Sequence, residues 1–201
     1  MDKDRNNLVW VDLEMTGLDV ASHTIIEIAI IVTDKDLKEL GRWPSGHAGQ
    51  AIWQPNGVLE KSEGWVRDNL PDLLERVRQS SVDLRTAETA ALAFIQEYCP
   101  KLGKERKEGC PLAGNSIGQD RTFLRTHMPK LEQGTSYRNV DVSTIKELVK
   151  RWYPSDCAFK KEEWLDEHHP NGKHAAMVDL EASIAELKHY REFVFKSALG
   201  D

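Results

Sequence analysis

The sequence predicts an α/β domain with a mixed sheet flanked by helices, and three observations carry that expectation. Two β-branched runs open the chain at residues 8–14 and 25–33, and an alanine-rich helical segment follows at 86–95. Thereafter short apolar runs alternate with amphipathic stretches, the pattern of helices laid on a partly parallel sheet. The chain has 201 residues, 40% hydrophobic with six Trp, enough for one sizeable core. A single domain over residues 1–201 is expected, with residues 1–6 an unordered tail.

The first strand is the run Leu8-Val9-Trp10-Val11, closed by Asp12-Leu13-Glu14. Residues 25–33 are a nearly unbroken β-branched run, and the turn between the two predicts an antiparallel hairpin. A third, edge strand is expected over 48–54, after a glycine-bearing turn region at 41–49. The helix at 86–95 should end near Cys99-Pro100 and pass into a charged loop over 101–109. Residues 111–115 then read as a short buried strand, followed by a helix holding Asp120, Phe123 and Leu124. A strand near 139–142 precedes a helix that starts at Ser143 or Thr144 and ends at Trp152. The last helix, about 174–196, places Met177, Leu180, Ile184, Leu187 and Tyr190 on one stripe. Between these two helices, residues 154–173 are expected to form a long, solvated, partly mobile loop; its Cys157, His168 and His169 match no metal-ligand spacing.

Charge and composition narrow the function classes. A net charge of −6 disfavours a protein that wraps long duplex nucleic acid, which takes a basic surface. It leaves room for a compact pocket that holds one or two phosphates of a short oligonucleotide. No run approaches the roughly 18 apolar residues of a membrane span, and the polar start at 1–7 is unlike a secretory signal. A cytoplasmic chain without membrane partners is expected, with the mitochondrion as the alternative in a eukaryote. Cys99, Cys110 and Cys157, odd in number and widely spaced, read as free thiols.

The chemistry concentrates in five side chains. Asp12 and Glu14 are two apart on a strand, so they face the same way and repel unless a cation sits between them. An Asp-x-Glu pair alone is more often a solvated strand end; here it follows a strongly apolar strand and precedes the turn at Gly17. With Asp120 and Asp179 added, the hard oxygen ligands suit two Mg²⁺ or Mn²⁺ ions roughly 4 Å apart, the arrangement of in-line phosphoryl chemistry. His174 lies five residues before Asp179, about 140° around an ideal helix, so the two converge only if His174 sits on the approach to the helix. An imidazole with a pKa of about 6.5 suits a general base acting on water near neutral pH.

Three segments together, residues 10–19, 111–120 and 137–148, carry a family likeness: the chain resembles the DEDDh 3′-to-5′ exonucleases from about Asn7 to Phe195. The resemblance implies an RNase H-like exonuclease fold, a homodimer, two divalent cations (Mg²⁺ or Mn²⁺) and hydrolysis of very short single-stranded RNAs, dinucleotides above all, to 5′-mononucleotides. By motif position, Asp12, Glu14, Asp120 and Asp179 are the metal ligands and His174 the general base. Leu18 matches a residue wedged between the two bases, and Ser116 lies among the substrate contacts. Arg138 and Ser143 match residues that cap the 5′ phosphate, and Tyr137 matches a tyrosine that reaches into the partner subunit's site. Read alone, Leu18 is a loop-packing leucine, and Ser143 or Thr144 with Glu147 is a helix-capping arrangement. Four features depart from the family: Ala175 and Val178 replace polar residues, residues 66–71 lack a His and a Ser-Gly pair, and 154–173 is long. Trimming of DNA or tRNA ends, and a non-catalytic dimer that kept the fold, are the competing readings.

Overall fold

A computed structural model describes residues 3–100, 106, 108–170 and 175–195. Its strands are β1 (Leu8–Met15), β2 (Ile25–Thr33), β3 (Glu39–Trp43), β4 (Gln50–Ala51), β5 (Leu112–Gly114) and β6 (Asn139–Asp141). Three helices, α1 (Asn56–Leu59), α2 (Gly64–Asn69) and α3 (Pro71–Gln79), precede α4 (Leu84–Tyr98). Then come α5 (Ile117–His127), α6 (Pro129–Gln133), α7 (Val142–Trp152), α8 (Lys161–His168) and α9 (Ala176–Phe193). The sheet runs β3-β2-β1-β5-β6, with β4 also on β2; β1 and β2 form the expected antiparallel pair, while β1–β5 and β5–β6 are parallel.

Strand alternation divides the core into two layers. Val9, Val11 and Leu13 face α4 and α5, packing on Ala91, Ile95, Phe123 and Leu124. Trp10, Ala29, Ile31 and Ala113 face the other way, onto Val142, Val149, Met177, Leu180 and Tyr190 of α7 and α9. Each Val, Leu, Ile, Phe or Met among them contributes about 1.5–3 kcal/mol when fully buried, so both faces of the sheet are strongly held. The Trp10 indole N–H, buried with it, donates to Thr33 Oγ1 at 3.0 Å. A third cluster, Leu59, Val66, Leu70, Leu73, Leu74 and Val77, seats α1–α3 against Ile26; sequence patterning gave no expectation for these short helices.

Several local expectations are corrected. The third strand lies at Glu39–Trp43, running into the stretch expected to turn, and only Gln50–Ala51 of 48–54 is strand. Gly41 is the reason: an added Cβ would collide with the Tyr98 hydroxyl, so the glycine permits close approach within a strand rather than a turn. Helix α4 starts earlier than expected, capped by the Asp83 carboxylate, which accepts the Thr86 N–H at 2.7 Å. Likewise α7 is capped by Asp141, which accepts the Ser143 N–H at 3.0 Å, and not by Ser143 or Thr144.

Residues 154–173 hold a 3₁₀ turn (Ser155–Cys157) and α8 where a solvated loop was expected. Leu165 packs on Val178 and Ala182 of α9, with Trp164 and Ala175 against the same cluster, and that contact holds the helix down. Cys99 and Cys110, expected to be free thiols, are paired as a disulfide with Cα atoms 6.0 Å apart, and Cys157 stays free. The sheet brings them together: Asp4 N–H donates to Tyr98 O and Val9 N–H to Pro111 O, so the end of α4 and the approach to β5 both close on the start of β1. The loop expected over 101–109 lies partly outside the described residues. Among the described residues, no helix is long and apolar enough to cross a membrane.

Candidate active site

The layer that faces α9 also carries the acids. Alternation along β1 puts Asp12 and Glu14 on the face of Trp10, beneath α9, and Asp179 descends from the first turn of that helix. One oxygen each from Asp12, Glu14 and Asp179 lies within 4.8 Å of the others. The approach to α5 is a left-handed residue, Ser116 (φ 52°), and Asp120 in the first turn points back to β1. Its Oδ1 accepts the Leu13 N–H at 3.1 Å, so Asp120 adjoins the trio from the strand's backbone side. Glu27 pairs with Glu14 across the β1–β2 ladder and is buried, with Arg76 Nη1 2.8 Å from its carboxylate.

These acids are crowded enough to resist ionisation. Burial raises the Asp12 pKa well above the carboxylate range, and the charges of Asp120, Asp179 and Glu14 raise it further. Burial, then Glu27, Asp179 and Asp120, push Glu14 up to about 8. Asp120 is pushed up to about 7 by burial, which outweighs its backbone hydrogen bonds. Crowded hard oxygen donors, whose mutual repulsion a cation among them relieves, suit a small divalent cation better than any neutral ligand. Mg²⁺ or Mn²⁺ therefore fits this donor set.

One cation already faces the acids, and sequence reasoning missed it. Lys161 Nζ donates to Asp179 Oδ1 at 2.7 Å from the first turn of α8. Burial alone would lower its pKa, but the charge and hydrogen bond of Asp179, and then Asp12, raise it. No pattern could have singled it out while α8 itself went unread. The same helix explains two departures from the family pattern: Val178 is buried against Leu165, and Ala175 packs on that cluster, so apolar residues stand where the family carries polar ones.

The sequence-predicted substrate residues divide into two groups. Leu18 is 66% exposed on a loop pinned from both sides. Its N–H donates to Glu63 Oε1 at 3.1 Å and its carbonyl accepts Gln119 Nε2 at 2.8 Å. Trp65, 54% exposed, lies two residues beyond Glu63. Ser116 and Ser143 come together with hydroxyls 3.2 Å apart, and the Ser116 N–H reaches both Asp141 Oδ1 and Ser143 Oγ at 3.0 Å. Ser143 donates to Asn115 Oδ1, whose amide donates to Ser183 and Glu186 of α9. This hydroxyl pair thus sits where β5, α7 and α9 meet.

Tyr137 and Arg138 lie elsewhere in the same chain. The Arg138 guanidinium is 5.6 Å from the Tyr137 ring centre, and its Nε donates to Tyr137 Oη at 3.2 Å. Arg138 lines a cavity of about 330 Å³ with Arg5, Asn6 and Glu108, at the end of the parallel strands away from the acids. Since Asn139 pairs with Leu112 and Leu112 with Val9, the Arg138 backbone lies roughly 13–20 Å along the strands from Asp12 and Glu14. Buried Arg121 fixes that segment by donating to Ser136 O and Arg138 O. His174 lies outside the described residues.

The RNase_T family, an exonuclease family, matches residues 9–44 and 74–187. An oligoribonuclease from Dichelobacter nodosus is 47% identical over 199 residues, covering 97% of this chain and 98% of its own length. One from Vibrio cholerae is 47% identical over 192 residues, covering 94% and 96%. Among solved structures, exonuclease I from Methylocaldum szegediense superimposes with a TM-score of 0.60 at 18% identity, over 92% of this chain and 40% of that one. A further exonuclease I structure gives 0.62 at 14% identity over 94% of this chain and 41% of that one. This chain spans about two fifths of those exonucleases, and the likeness is one of fold.

Proposed function

Because the chain belongs to the RNase_T exonuclease family, among its oligoribonucleases, we propose that it hydrolyses very short RNAs from the 3′ end by a two-metal-ion mechanism with His174 as the base. It is a nuclease of the 3′-to-5′ exoribonuclease type acting on short oligonucleotides. The observation that carries the finer reading is the convergence of Asp12, Glu14 and Asp179, from β1 and α9, within 4.8 Å.

Asp12, Glu14, Asp120 and Asp179 would hold two divalent ions, Mg²⁺ or Mn²⁺, which supply acidification of the attacking water and charge neutralisation at the leaving 3′ oxygen. Asp120 stays oriented through its hydrogen bond from the Leu13 N–H. His174, two residues before α9, takes the proton from the water. Leu18, held outward by Glu63 and Gln119, separates the two bases, and the Ser116–Ser143 pair receives phosphate oxygens. Tyr137 and Arg138, far along the strands from the acids of their own chain, serve the site of a second copy, where Arg138 clasps the terminal 5′ phosphate. A homodimer follows from that assignment. Arg138 can clasp a terminal dianion fully but shares an internal phosphate with continuing chain, so dinucleotides are the favoured substrate.

A time course on 5′-labelled RNAs of two to seven nucleotides, with Mg²⁺, with Mn²⁺ and with chelator, tests this. Chelator-sensitive release of mononucleotides, with kcat/KM highest for the dinucleotide, is the expected result. Equal rates across lengths would remove the capped pocket, and turnover in chelator would remove the metal reading.

A further inference from the structure

Helix α8 is set against the acids by packing, and its first turn delivers an ammonium to the carboxylate that a divalent ion would need. Leu165 fixes the helix on Val178 and Ala182, one turn or less from Asp179 along α9. Lys161 is thereby placed with Nζ 2.7 Å from Asp179 Oδ1. Asp12 and Glu186 also lie within its electrostatic reach. Its side chain keeps 38% of its exposure, so it has solvent to move into. An ammonium and a divalent ion cannot share one carboxylate oxygen at contact distance, because like charges there repel in a poorly screened site.

We propose that Lys161 is a tethered countercharge that competes with the divalent ion for Asp179, so that α8 weakens ion binding and Lys161 must withdraw before the site is loaded. The proposal rests on the divalent-ion reading of the acids given above. Without the ion, Lys161 relieves the repulsion between Asp12 and Asp179; with the ion in place that relief is redundant. Linkage is reciprocal: whatever the Lys161–Asp179 contact contributes to the empty site is subtracted from ion affinity.

Calorimetric titration of the full chain with Mn²⁺ reads this without any turnover. Lys161→Met keeps the aliphatic stem and removes the charge, and should tighten the Mn²⁺ Kd by about fivefold or more. The ion-free Tm should fall and the Mn²⁺-induced rise in Tm should grow. Lys161→Gln, equally soluble at this half-exposed position, is read the same way if the Met variant folds poorly. Lys161→Arg keeps the charge and should keep wild-type affinity. Leu165→Ala, which loosens α8 without changing charge, should shift affinity in the same direction as Lys161→Met. Unchanged or weaker Mn²⁺ binding by Lys161→Met overturns the role of Lys161 while leaving the ion site standing. A wild-type chain that binds no Mn²⁺ overturns both readings.

Discussion

On the two-ion reading, Asp120 combines a structural and a chemical role that substitution can separate. An amide at this position still offers an oxygen to the Leu13 N–H, so Asp120→Asn should leave the fold intact while deleting a charged metal ligand. Hydrolysis should fall to background with Tm within a few degrees of wild type; turnover near the wild-type rate would sink the ligand assignment. For His174→Ala, a loss of about 10² to 10⁴ in kcat is expected, the usual contribution of a positioned base. Single-turnover rates across pH 5.5 to 9 with saturating Mg²⁺ would show the wild type losing activity as imidazole is protonated, and a variant with wild-type rates throughout would remove His174 from the mechanism. On the same reading, Glu14, raised to about 8, and Asp120, to about 7, must both release protons for an ion to bind. Mn²⁺ affinity should therefore rise as pH climbs from 6 towards 8, with proton release visible as a buffer-dependent binding enthalpy; a pH-independent Kd would contradict the crowding of these acids.

At the scale of elements, the packing of β3 on α4 gives a direct test. Gly41→Ala pushes a methyl into the Tyr98 hydroxyl and should cost about 1–3 kcal/mol by urea denaturation, with activity retained in the folded fraction. Elements with dense apolar signal were legible in the sequence: β1, β2 and the stripe of α9 announce themselves because both faces of the sheet are covered. β3 was not, because Glu39-Leu-Gly-Arg-Trp carries little periodicity and its glycine mimics a turn. α8 was invisible for a different reason: its apolar anchors are Trp164 and Leu165, too few to make a stripe, and they gain a partner only once α9 packs on them. The acids Asp12, Glu14 and Asp179 were legible as types and spacings, and the structure brings them together. Lys161 was not, since nothing distinguishes it from Lys160 until α8 is in place. Likewise, the Ser143 hydroxyl is freed for Asn115 and Ser116 only because Asp141 takes over the cap.

For the whole molecule, the crowded acids set how stability follows pH. Between pH 4.5, the usual Glu value, and about 8, the native state holds a proton on Glu14 that the unfolded chain has lost. Stability of the ion-free protein should fall as pH rises through that window, since the unfolded state binds fewer protons there. Tm recorded from pH 5 to 8 in chelator should decline, and saturating Mn²⁺ should flatten the trend; a Tm that rises across this range would contradict it. Light scattering should report about twice 22.9 kDa for the proposed homodimer, and a fully active monomer would exclude Tyr137 from a neighbour's site. The two halves of the acidic trio also have a bearing on synthesis. Asp12 and Glu14 leave the ribosome early, whereas Asp179 arrives with α9, the last helix among the described residues. A domain folds as a unit, and a half-made chain carries an incomplete set of acids. On the divalent-ion reading, α9 must clear the exit tunnel and dock before the site is complete, so a chain terminated ahead of α9 would carry only the strand's share of the converging acids.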